Sequence, residues 1–356
     1  MRNRSSRPAA FGRWPAVKGG LLALSAAVLF GVSTPLVQRF GVGVGPFATA
    51  ALLYAGAALA GALLRQPTER EARVLRNDFP RLLAIALFGA VIGPVALAWG
   101  LQRTSGTSAS LMLTLEALFT ALLASRLYHE TMDKRVWAAM LLVLAGSVVL
   151  VLDQSRGGAS VAGLLMVMVA TAAWGMDNTL SRALAERDPG QVILFKAVLG
   201  ATATSLLAVA LAESLPSTAI VVSLLIVGAA GYGVSLRFYL LAQRAFGAAR
   251  TGSVFAFAPF IGAALALALG DRSAGWLMAL GCLLMLAGVI LHILESHGHE
   301  HEHELMEHEH AHRHDDGHHD HHHDVMPSGE HSHRHRHESL RHSHPHVPDA
   351  HHAHRH

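Results

Sequence analysis

Five polar side chains interrupt long apolar stretches of the sequence. Glu116 falls in the middle of one stretch, Asp177 and Asn178 lie together in another, and Lys196 and Arg237 lie nearer the ends of two more. Ionisable groups within a membrane are costly, so each of them needs a functional or structural reason. We predict that Glu116 lines an internal cavity, where it binds and releases a proton or cation. Asp177 and Asn178 are predicted to contact the substrate.

Several neighbouring residues have two interpretations. Lys196 and Arg237 either bind a carboxylate of the substrate or extend their long side chains to the membrane surface. Ser33 and Thr34 occupy the place in the first half of the chain that Asp177 and Asn178 occupy in the second half, so they either line the same cavity or bond to their own helix. The aromatic residue Trp174 is predicted to belong to the cavity, and Tyr232 and Tyr239 are either cavity walls or interfacial anchors.

The C-terminal segment, residues 297–356, holds 24 of the 26 histidines. Neutral imidazole is a good ligand for nickel, cobalt, zinc and copper. The predicted metal ligands are His297, His299, His301, His303, His308, His310, His312, His314, His318, His319, His321, His322 and His323. Almost no residue of this tail could form a core, so we expect it to be disordered without a ligand.

Charge and cysteine content exclude several classes of protein. The tail carries 12 Asp and Glu and 5 Arg, giving −7, and the rest carries 23 Lys and Arg and 13 Asp and Glu, giving +10, which together make the net +3. The basic surplus flanks apolar segments and does not indicate a nucleic-acid partner. Cys282 stands alone, which leaves no disulfide. No nucleophile–base constellation indicates an enzyme, and no cofactor is required.

The polar residues are predicted to be held by an all-α bundle of ten transmembrane helices. The apolar stretches, each near the ~20 residues that span a bilayer, are Gly19–Phe40, Pro46–Leu64, Pro80–Trp99, Thr107–Leu127, Val136–Leu152, Val161–Leu184, Gln191–Ala212, Thr218–Leu241, Thr251–Leu269 and Gly275–Leu294. With the N-terminus inside, the inner segments hold 17 Lys and Arg and the outer loops 4. This bias predicts a cytoplasmic (inner) membrane protein with both termini in the cytoplasm.

The two halves of the apolar region are similar to each other. AVLFGVSTPLVQR (27–39) resembles ATAAWGMDNTLSR (170–182), and LVLAGSVVLVLD (142–153) resembles LMLAGVILHILE (284–295). Five spans are an odd number, so the second repeat must be inverted relative to the first, as in many secondary transporters. The glycine-rich interruptions of the third and eighth spans predict hinges at Gly93 and Pro94, and at Gly231 and Gly233.

These motifs resemble those of the drug/metabolite transporter superfamily of the EamA type. They are an aromatic–glycine pair in the first helix of each repeat (Phe30-Gly31 and Trp174-Gly175), LEALF (115–119) and FAPF (257–260) in the fourth helices, and the acidic residues that close those helices (Glu130 and Asp271). Ala117 departs from the pattern, which usually has proline there. The resemblance implies a secondary carrier with ten helices, often an exporter of amino acids or other metabolites.

We therefore expect a basic N-terminus (1–18), two five-helix repeats (19–153 and 160–295) and the histidine-rich tail (297–356). The leading prediction is export of a divalent transition metal gathered by the tail. The alternative is export of an amino acid or related metabolite, with the tail as a metal sensor or buffer. A metal store that does not transport is a third interpretation. Membrane lipid and the substrate are the expected partners, and the sequence leaves a homodimer open.

Overall fold

The computed structural model describes residues 13–65, 72–128, 134–156, 161–184, 187–246, 248–271 and 275–293, and four short segments of the tail. The helices in chain order are α1 (Arg13–Phe40), α2 (Pro46–Leu63), α3 (Phe79–Ala86, Leu87–Ile92 and Gly93–Leu101), α4 (Gly106–Met112 and Leu115–Tyr128), α5 (Lys134–Arg156), α6 (Val161–Ser181), α7 (Pro189–Ala210), α8 (Thr218–Gly228, Ala229–Val234 and Ser235–Phe246), α9 (Ala248–Phe255 and Ala258–Ala268) and α10 (Trp276–Ile293). Short 3₁₀ turns, Arg76–Asp78 and Arg182–Leu184, precede α3 and follow α6.

The ten predicted spans are confirmed as helices. Within the described ranges, α1 to α9 each contain a segment long and apolar enough to cross a membrane, and α10 contributes a shorter apolar stretch, Trp276–Leu291. Large apolar side chains stand on the outside of the bundle, among them Leu63, Trp276 and Leu283, which are 83%, 72% and 63% exposed. A contiguous apolar exterior of this kind requires lipid as its solvent. The chain is therefore a multi-pass membrane protein.

Two pairs of corresponding helices carry the same irregularities. The third helix of each repeat contains one π-helical turn, Leu87–Ile92 in α3 and Ala229–Val234 in α8. The fourth helix of each repeat is broken by a two-residue turn, after Met112 in α4 and after Phe255 in α9. A π turn inserts one residue into the helical ladder, so it frees backbone carbonyls and shifts the register of the side chains that follow.

The two repeats are interlocked rather than placed side by side. The first helix of each repeat packs on the third and fourth helices of the other, α1 on α8 and α9, and α6 on α3 and α4. Helices α2 and α7 pack on each other, as do α5 and α10, which hold equivalent places in the two repeats. Each pair is thus matched by its symmetric counterpart, which confirms the predicted fold of two inverted five-helix repeats.

The aromatic–glycine pairs allow these close crossings. A Cβ atom on Gly175 of α6 would lie 2.7 Å from Cβ of Phe119 and 3.1 Å from the amide nitrogen of Thr120 in α4. The equivalent Gly31 of α1 meets Ala258 and Ile261 of α9, with 3.1 Å to Cβ of Ile261. Small residues at helix crossings let backbones approach closely in lipid, where packing rather than the hydrophobic effect holds helices together. Gly175 thus places α6 against the second half of α4, and Gly31 places α1 against the second half of α9.

Side chains cross-link the bundle at the end where α1 finishes and α2 begins. The carboxylate of Glu213 accepts hydrogen bonds from the amides of Phe47 (3.3 Å) and Ala48 (2.7 Å), at the start of α2. Asp271 accepts from the amide (2.9 Å) and hydroxyl (2.8 Å) of Thr107 at the start of α4. Both acids satisfy free amides at helix N-termini, where the helix dipole favours negative charge.

The opposite end is joined by the segment before α3 and the start of α7. Arg187 forms an ion pair with Asp78 (2.9 Å). Asp188 caps α7 by accepting from the amide of Gly190 (2.8 Å), and its own amide bonds to the carbonyl of Ala72 (2.8 Å). These contacts tie the first repeat to the second at the end where α6 finishes.

The described part of the tail consists of four strands, β1 (Gly298–Glu302), β2 (Met306–His312), β3 (His331–His337) and β4 (Arg341–Pro345). Strand β1 pairs with β4 and β2 with β3, both antiparallel. Of the predicted metal ligands, His299, His301, His308, His310 and His312 lie in strands, whereas His297, His303, His314, His318, His319, His321, His322 and His323 lie outside the described residues.

Candidate functional site

A cavity of about 60 Å³ lies in the middle of the bundle, between the two repeats. Its walls come from α1, α2, α4 and α6 to α9, which explains why the interlocked packing is needed to build it. The lining residues are Phe30, Tyr54, Glu116, Trp174, Asp177, Asn178, Lys196, Gly231, Tyr232, Ser235, Leu236, Tyr239 and Phe255. The structure thus brings together the predicted residues Glu116, Trp174, Asp177, Asn178 and Lys196.

Asp177 and Lys196 form a buried ion pair in this cavity. The ammonium of Lys196 on α7 donates to Oδ2 of Asp177 on α6, and the two side chains are only 6% and 7% exposed. The other carboxylate oxygen of Asp177 accepts from the hydroxyl of Ser181 (3.2 Å). Removing two charges from water is costly unless they compensate each other, so this pair is stable only as a pair. The site therefore presents a cation and an anion side by side.

Glu116 is held by the amide of Asn178. The Nδ2 atom of Asn178 on α6 donates to Oε1 of Glu116 at 2.7 Å. Glu116 stands in the first turn of the second half of α4, directly after the break at Leu113 and Thr114. A helix N-terminus stabilises negative charge, whereas burial favours the neutral acid. These opposing effects make Glu116 suitable for gaining and losing a proton.

The π turn of α3 supplies the polar anchor of the cavity wall. The carbonyl of Gly89, within this turn, accepts a hydrogen bond from Nε1 of Trp174 at 3.1 Å. The hydroxyl of Tyr54 on α2 donates to the same oxygen. A Cβ atom on Gly89 would collide with the carboxylate of Asp177 and lie 2.7 Å from Nζ of Lys196. The glycine therefore lets the backbone of α3 approach the ion pair.

Aromatic rings form the apolar wall. The ring of Phe30 packs on Trp174, Tyr232 and Phe255, with centroids 5.6, 5.9 and 5.4 Å apart, and Tyr239 packs edge-on against Phe255 at 5.0 Å. Tyr232 and Tyr239 are thus cavity walls, which resolves the choice that the sequence left open. Such a wall suits the apolar part of an organic ligand or an ammonium group.

Sequence reasoning missed three aromatic members of the site. They are Phe30, considered only as part of a motif, together with Tyr54 and Phe255. Tyr54 had one available signal, since it is the single phenol in the Ala- and Leu-rich α2. The sequence held no sign of which direction Phe255 faces.

Other predicted residues lie outside the cavity. Arg237 donates from Nη1 to the carbonyl of Leu64 (2.6 Å), the residue that follows α2, so it satisfies a helix terminus. Ser33 bonds to its own helix at the carbonyl of Phe30 (2.6 Å). The hydroxyl of Thr34 is buried without a hydrogen-bond partner among the described residues. Ser33 therefore bonds to its own helix, whereas Arg237 bonds to a helix terminus and Thr34, among the described residues, neither lines the cavity nor bonds to its helix.

The predicted hinge residues lie directly after the π turn of α3 and within the π turn of α8. Gly93 and Pro94 begin the last segment of α3, and a Cβ atom on Gly93 would lie 2.6 Å from Nε1 of Trp174. Gly231 and Gly233 lie within the π turn of α8, where Gly231 abuts Ser33 of α1 and Gly233 abuts Ala57 and Ala60 of α2. Their motion stays a prediction.

The cavity extends toward one end of the bundle. Asn178 lies one turn from the end of α6, Lys196 two turns from the start of α7, and Tyr239 in the last segment of α8. All three helix ends meet on the side that the Arg187–Asp78 pair joins. The other side is the one cross-linked through Glu213 and Asp271. The cavity therefore extends from the centre of the bundle toward the end where α6 finishes.

The bundle lacks a metal-binding cluster in the part that the structure describes. No group of three or more His, Cys, Asp or Glu side chains there could hold an ion. The two carboxylates of the cavity are accompanied by the ammonium of Lys196.

The fold and this site together define a class, that of membrane carriers built from two inverted five-helix repeats around a central cavity. Residues 17–152 and 161–294 each match the EamA-like transporter family, and the chain belongs to that family. It is 26% identical over 295 residues to a protein of Methanothermobacter thermautotrophicus described as an uncharacterized transporter, covering 77% of this chain and 85% of that protein. A solved crystal structure shares the fold, with a TM-score of 0.57 and 21% identity over 77% of this chain and 94% of the other. The protein is thus a transporter of the drug/metabolite type.

Proposed function

We propose that this transporter carries a small organic solute that bears both a carboxylate and an amino group, as an amino acid does. The observation that carries the proposal is the buried Asp177–Lys196 pair, set in an aromatic cavity beside Glu116. A zwitterion offers each member of the pair a replacement partner, because its carboxylate can bind Lys196 and its ammonium can bind Asp177. No net charge is then buried when the solute enters.

The cavity wall fits the remainder of such a solute. The rings of Phe30, Tyr232 and Phe255 can pack against an apolar side chain, and the aromatic faces also attract an ammonium. The small volume selects a solute of few atoms or requires that the cavity widen on binding. Polar groups at one side and rings at the other would fix the orientation of the solute.

Glu116 is proposed to couple transport to protons. Its hydrogen bond from Asn178 favours the carboxylate, while the apolar surroundings of the cavity favour the protonated acid. A change in the contacts of Asn178 when solute binds would shift that balance and release or take up one proton. Glu116 lies on α4 of the first repeat and Asn178 on α6 of the second repeat. A change in the contact between these two residues can therefore alter how the two repeats pack.

The cellular setting follows from charge and resemblance. The excess of Lys and Arg in alternate loops supports a cytoplasmic (inner) membrane protein with both termini in the cytoplasm. In that orientation the cavity is nearer the cytoplasmic side, and solute would enter from the cell interior. Resemblance to a family rich in exporters supports outward transport.

Export of a divalent transition metal is the second candidate, and the histidine-rich tail favours it. A metal ion would have to pass Glu116 and Asp177 with the ammonium of Lys196 beside them. Like charges repel strongly in a medium of low dielectric, so the pair that suits a zwitterion opposes a dication. For this reason the organic solute is the better-supported cargo.

The test uses the full chain in proteoliposomes with a proton gradient and an internal pH dye. Amino acids of each chemical class, and then Ni²⁺, Co²⁺ and Zn²⁺, are added in turn, and solute-dependent proton movement is recorded. We expect movement with at least one zwitterionic solute, abolished in Glu116→Gln. The matched control is Glu213→Gln, which removes a carboxylate that lies outside the cavity.

Proton movement driven by a metal ion and by no organic solute would reject the proposal in favour of the second candidate. Repeating the assay with a chain that ends after Glu295 separates transport from capture by the tail. Equal proton movement in the wild type and Glu116→Gln would remove Glu116 from the coupling mechanism, whatever the cargo.

A further inference from the structure

The cavity contains one more carboxyl group than it has cations. Its walls carry the carboxyl groups of Glu116 and Asp177 and the ammonium of Lys196. Asp177 and Lys196 compensate each other in the buried ion pair. Glu116 accepts a hydrogen bond from the amide of Asn178 and has no ion-pair partner in the part of the chain that the structure describes. Any uncompensated charge in the cavity is therefore that of Glu116.

No other described side chain around Glu116 supplies the missing cation. The remaining titratable groups of the cavity are the phenols of Tyr54, Tyr232 and Tyr239. A phenol is neutral at neutral pH. Helices α1 and α9 contribute the rings of Phe30 and Phe255, and α5, which also packs on α4, has its charged residues near its two ends. Neutralising Glu116 therefore takes a proton or a cation from solution.

The proton and the cation are alternative partners of one carboxylate. An ionised carboxylate that lacks a countercharge is costly among apolar walls. Protonation of Glu116 removes this cost, and so does a cation that binds its carboxylate. Because the carboxylate cannot hold both at once, the partner that binds displaces the other.

Glu116 and the ion pair are held at neighbouring positions on α6. Asp177 and Asn178 are consecutive residues, so their side chains leave the helix about 100° apart. One side chain contacts Lys196 on α7 and the other contacts Glu116 on α4. The aromatic rings of the same cavity pack well against methylene groups and attract ammonium groups. A zwitterion bound at the ion pair can thus reach Glu116 through an unbranched side chain of a few carbons.

We propose that the preferred solute is a basic amino acid, whose side-chain cation binds the carboxylate of Glu116 and displaces its proton. The inference rests on the proposed function, because it takes the α-carboxylate and α-ammonium of the solute to bind at the Asp177–Lys196 pair. The charges balance. Glu116 releases one proton to water and gains an ammonium that keeps its own protons, so the cavity is neutral before and after binding.

The same charge balance sets the order of solutes and the coupling. A neutral amino acid binds while Glu116 keeps its proton, and it leaves the carboxyl group without a cation. An acidic amino acid brings a second carboxylate for which the cavity has no cation, so it is excluded. Since a basic solute and a proton compete for Glu116, release of the solute on one side of the membrane allows a proton to bind there. Export of one solute is then matched by entry of one proton.

The test counts the protons that each solute displaces. Full-length protein in detergent is titrated by calorimetry with ornithine, norleucine and glutamate, in two buffers that differ in their heat of ionisation. Norleucine has a methyl group where ornithine has its side-chain ammonium, so the comparison isolates the charge. We expect ornithine to bind at least about tenfold more tightly than norleucine and to release about one proton, whereas norleucine releases none. Glutamate should not bind measurably.

Glu116→Gln keeps the size of the side chain and its acceptor for Asn178, but it cannot ionise. In this variant ornithine should release no proton and should bind about tenfold more weakly, while the affinity for norleucine stays unchanged and shows that the site is folded. Glu213→Gln, which changes a carboxylate outside the cavity, should behave as the wild type. Lowering the pH should weaken ornithine binding to the wild type by up to about tenfold per pH unit and leave norleucine binding unaffected.

The outcomes distinguish this inference from the proposed function. Equal proton release by ornithine and norleucine, or ornithine binding that is unchanged in Glu116→Gln, would overturn the inference and leave the proposed function standing. Measurable binding of glutamate would contradict the charge balance in the same way. Binding of none of the three solutes would reject the proposed function and this inference together.

Discussion

Tyr54 and Trp174, which belong to different repeats, donate hydrogen bonds to the same acceptor, the carbonyl oxygen of Gly89. This carbonyl has no backbone donor because, in the π turn, the amide of Gly93 bonds to the carbonyl of Phe88 and the next residue, Pro94, has no N–H. Two of the cavity's aromatic walls are thus fixed by one irregularity in a neighbouring helix. Straightening α3 into a regular helix would withdraw the acceptor and release both rings.

The shared acceptor predicts how the two rings can be uncoupled. Trp174→Phe and Tyr54→Phe each remove one donor and keep an aromatic ring, so each should lower stability by about 1 kcal/mol. The double variant leaves the carbonyl without either partner and should lose more than the sum. Thermal unfolding in detergent checks this, with Tyr239→Phe as the control that removes a phenol from the same cavity. An additive double variant would mean that the two bonds are independent.

The buried ion pair predicts a compensating pair of substitutions. Lys196→Met leaves the carboxylate of Asp177 buried without its cation, and Asp177→Asn leaves the ammonium of Lys196 buried without its anion. Each single variant should therefore destabilise the protein by about 3–5 kcal/mol. Lys196→Met/Asp177→Asn removes both charges and should recover most of the stability without restoring transport. Unfolding temperature and solute flux are measured on the same preparations. If the double variant is as unstable as the single ones, the pair is not the cause.

The crossing of α6 and α4 predicts intolerance of a single methyl group. In Gly175→Ala the new Cβ atom would lie 2.7 Å from Cβ of Phe119 if the backbone did not move. The two helices must therefore separate. Overpacking of this kind costs about 1–3 kcal/mol. Gly252→Ala is the matched control, because no atom lies within 4 Å of its Cβ position. Unfolding temperatures of the two variants should differ clearly, and a neutral Gly175→Ala would contradict the close crossing.

Arg237 is predicted to affect stability and not solute recognition. Its guanidinium satisfies the carbonyl of Leu64 after α2, outside the cavity. Arg237→Met should therefore lower the unfolding temperature and leave the KM for solute unchanged within about twofold, since no cavity contact is lost. Lys196→Met, compared in the same flux assay, should raise KM or abolish flux. A large rise of KM in Arg237→Met would place that arginine in the substrate path.

Much of the polar part of the site could be predicted from the sequence because lipid penalises unpaired charge. Glu116, Asp177 and Lys196 stood out in apolar stretches, and groups of this kind must find each other or water. The sequence did not predict their partners. Asp177 pairs with Lys196 and Glu116 with Asn178, a choice decided by the packing of α6 on α4 and by α3, against which both α6 and α7 pack.

The apolar part of the site could not be predicted in the same way. In a soluble protein an apolar face indicates the core, but in a membrane both the lipid face and the interior are apolar. Phe30 and Phe255 therefore looked like any residue in contact with lipid. The glycines of α3 and α8 correctly indicated irregular helices, whereas the π geometry needs one extra residue that a single sequence does not reveal.

The matching π turns also bear on the history of the chain. One inserted residue stands at the same place in the third helix of both halves, so the insertion is most simply older than the duplication that joined them. The ancestor would have been a single five-helix chain that assembled with an oppositely oriented copy of itself. The contacts of α2 with α7 and of α5 with α10 would descend from the interface of that dimer. Fusion then let the halves diverge, so that Asp177 and Asn178 now stand where the first half keeps Ser33 and Thr34. The Asp177–Lys196 ion pair therefore comes from the second half alone, whereas Glu116 comes from the first.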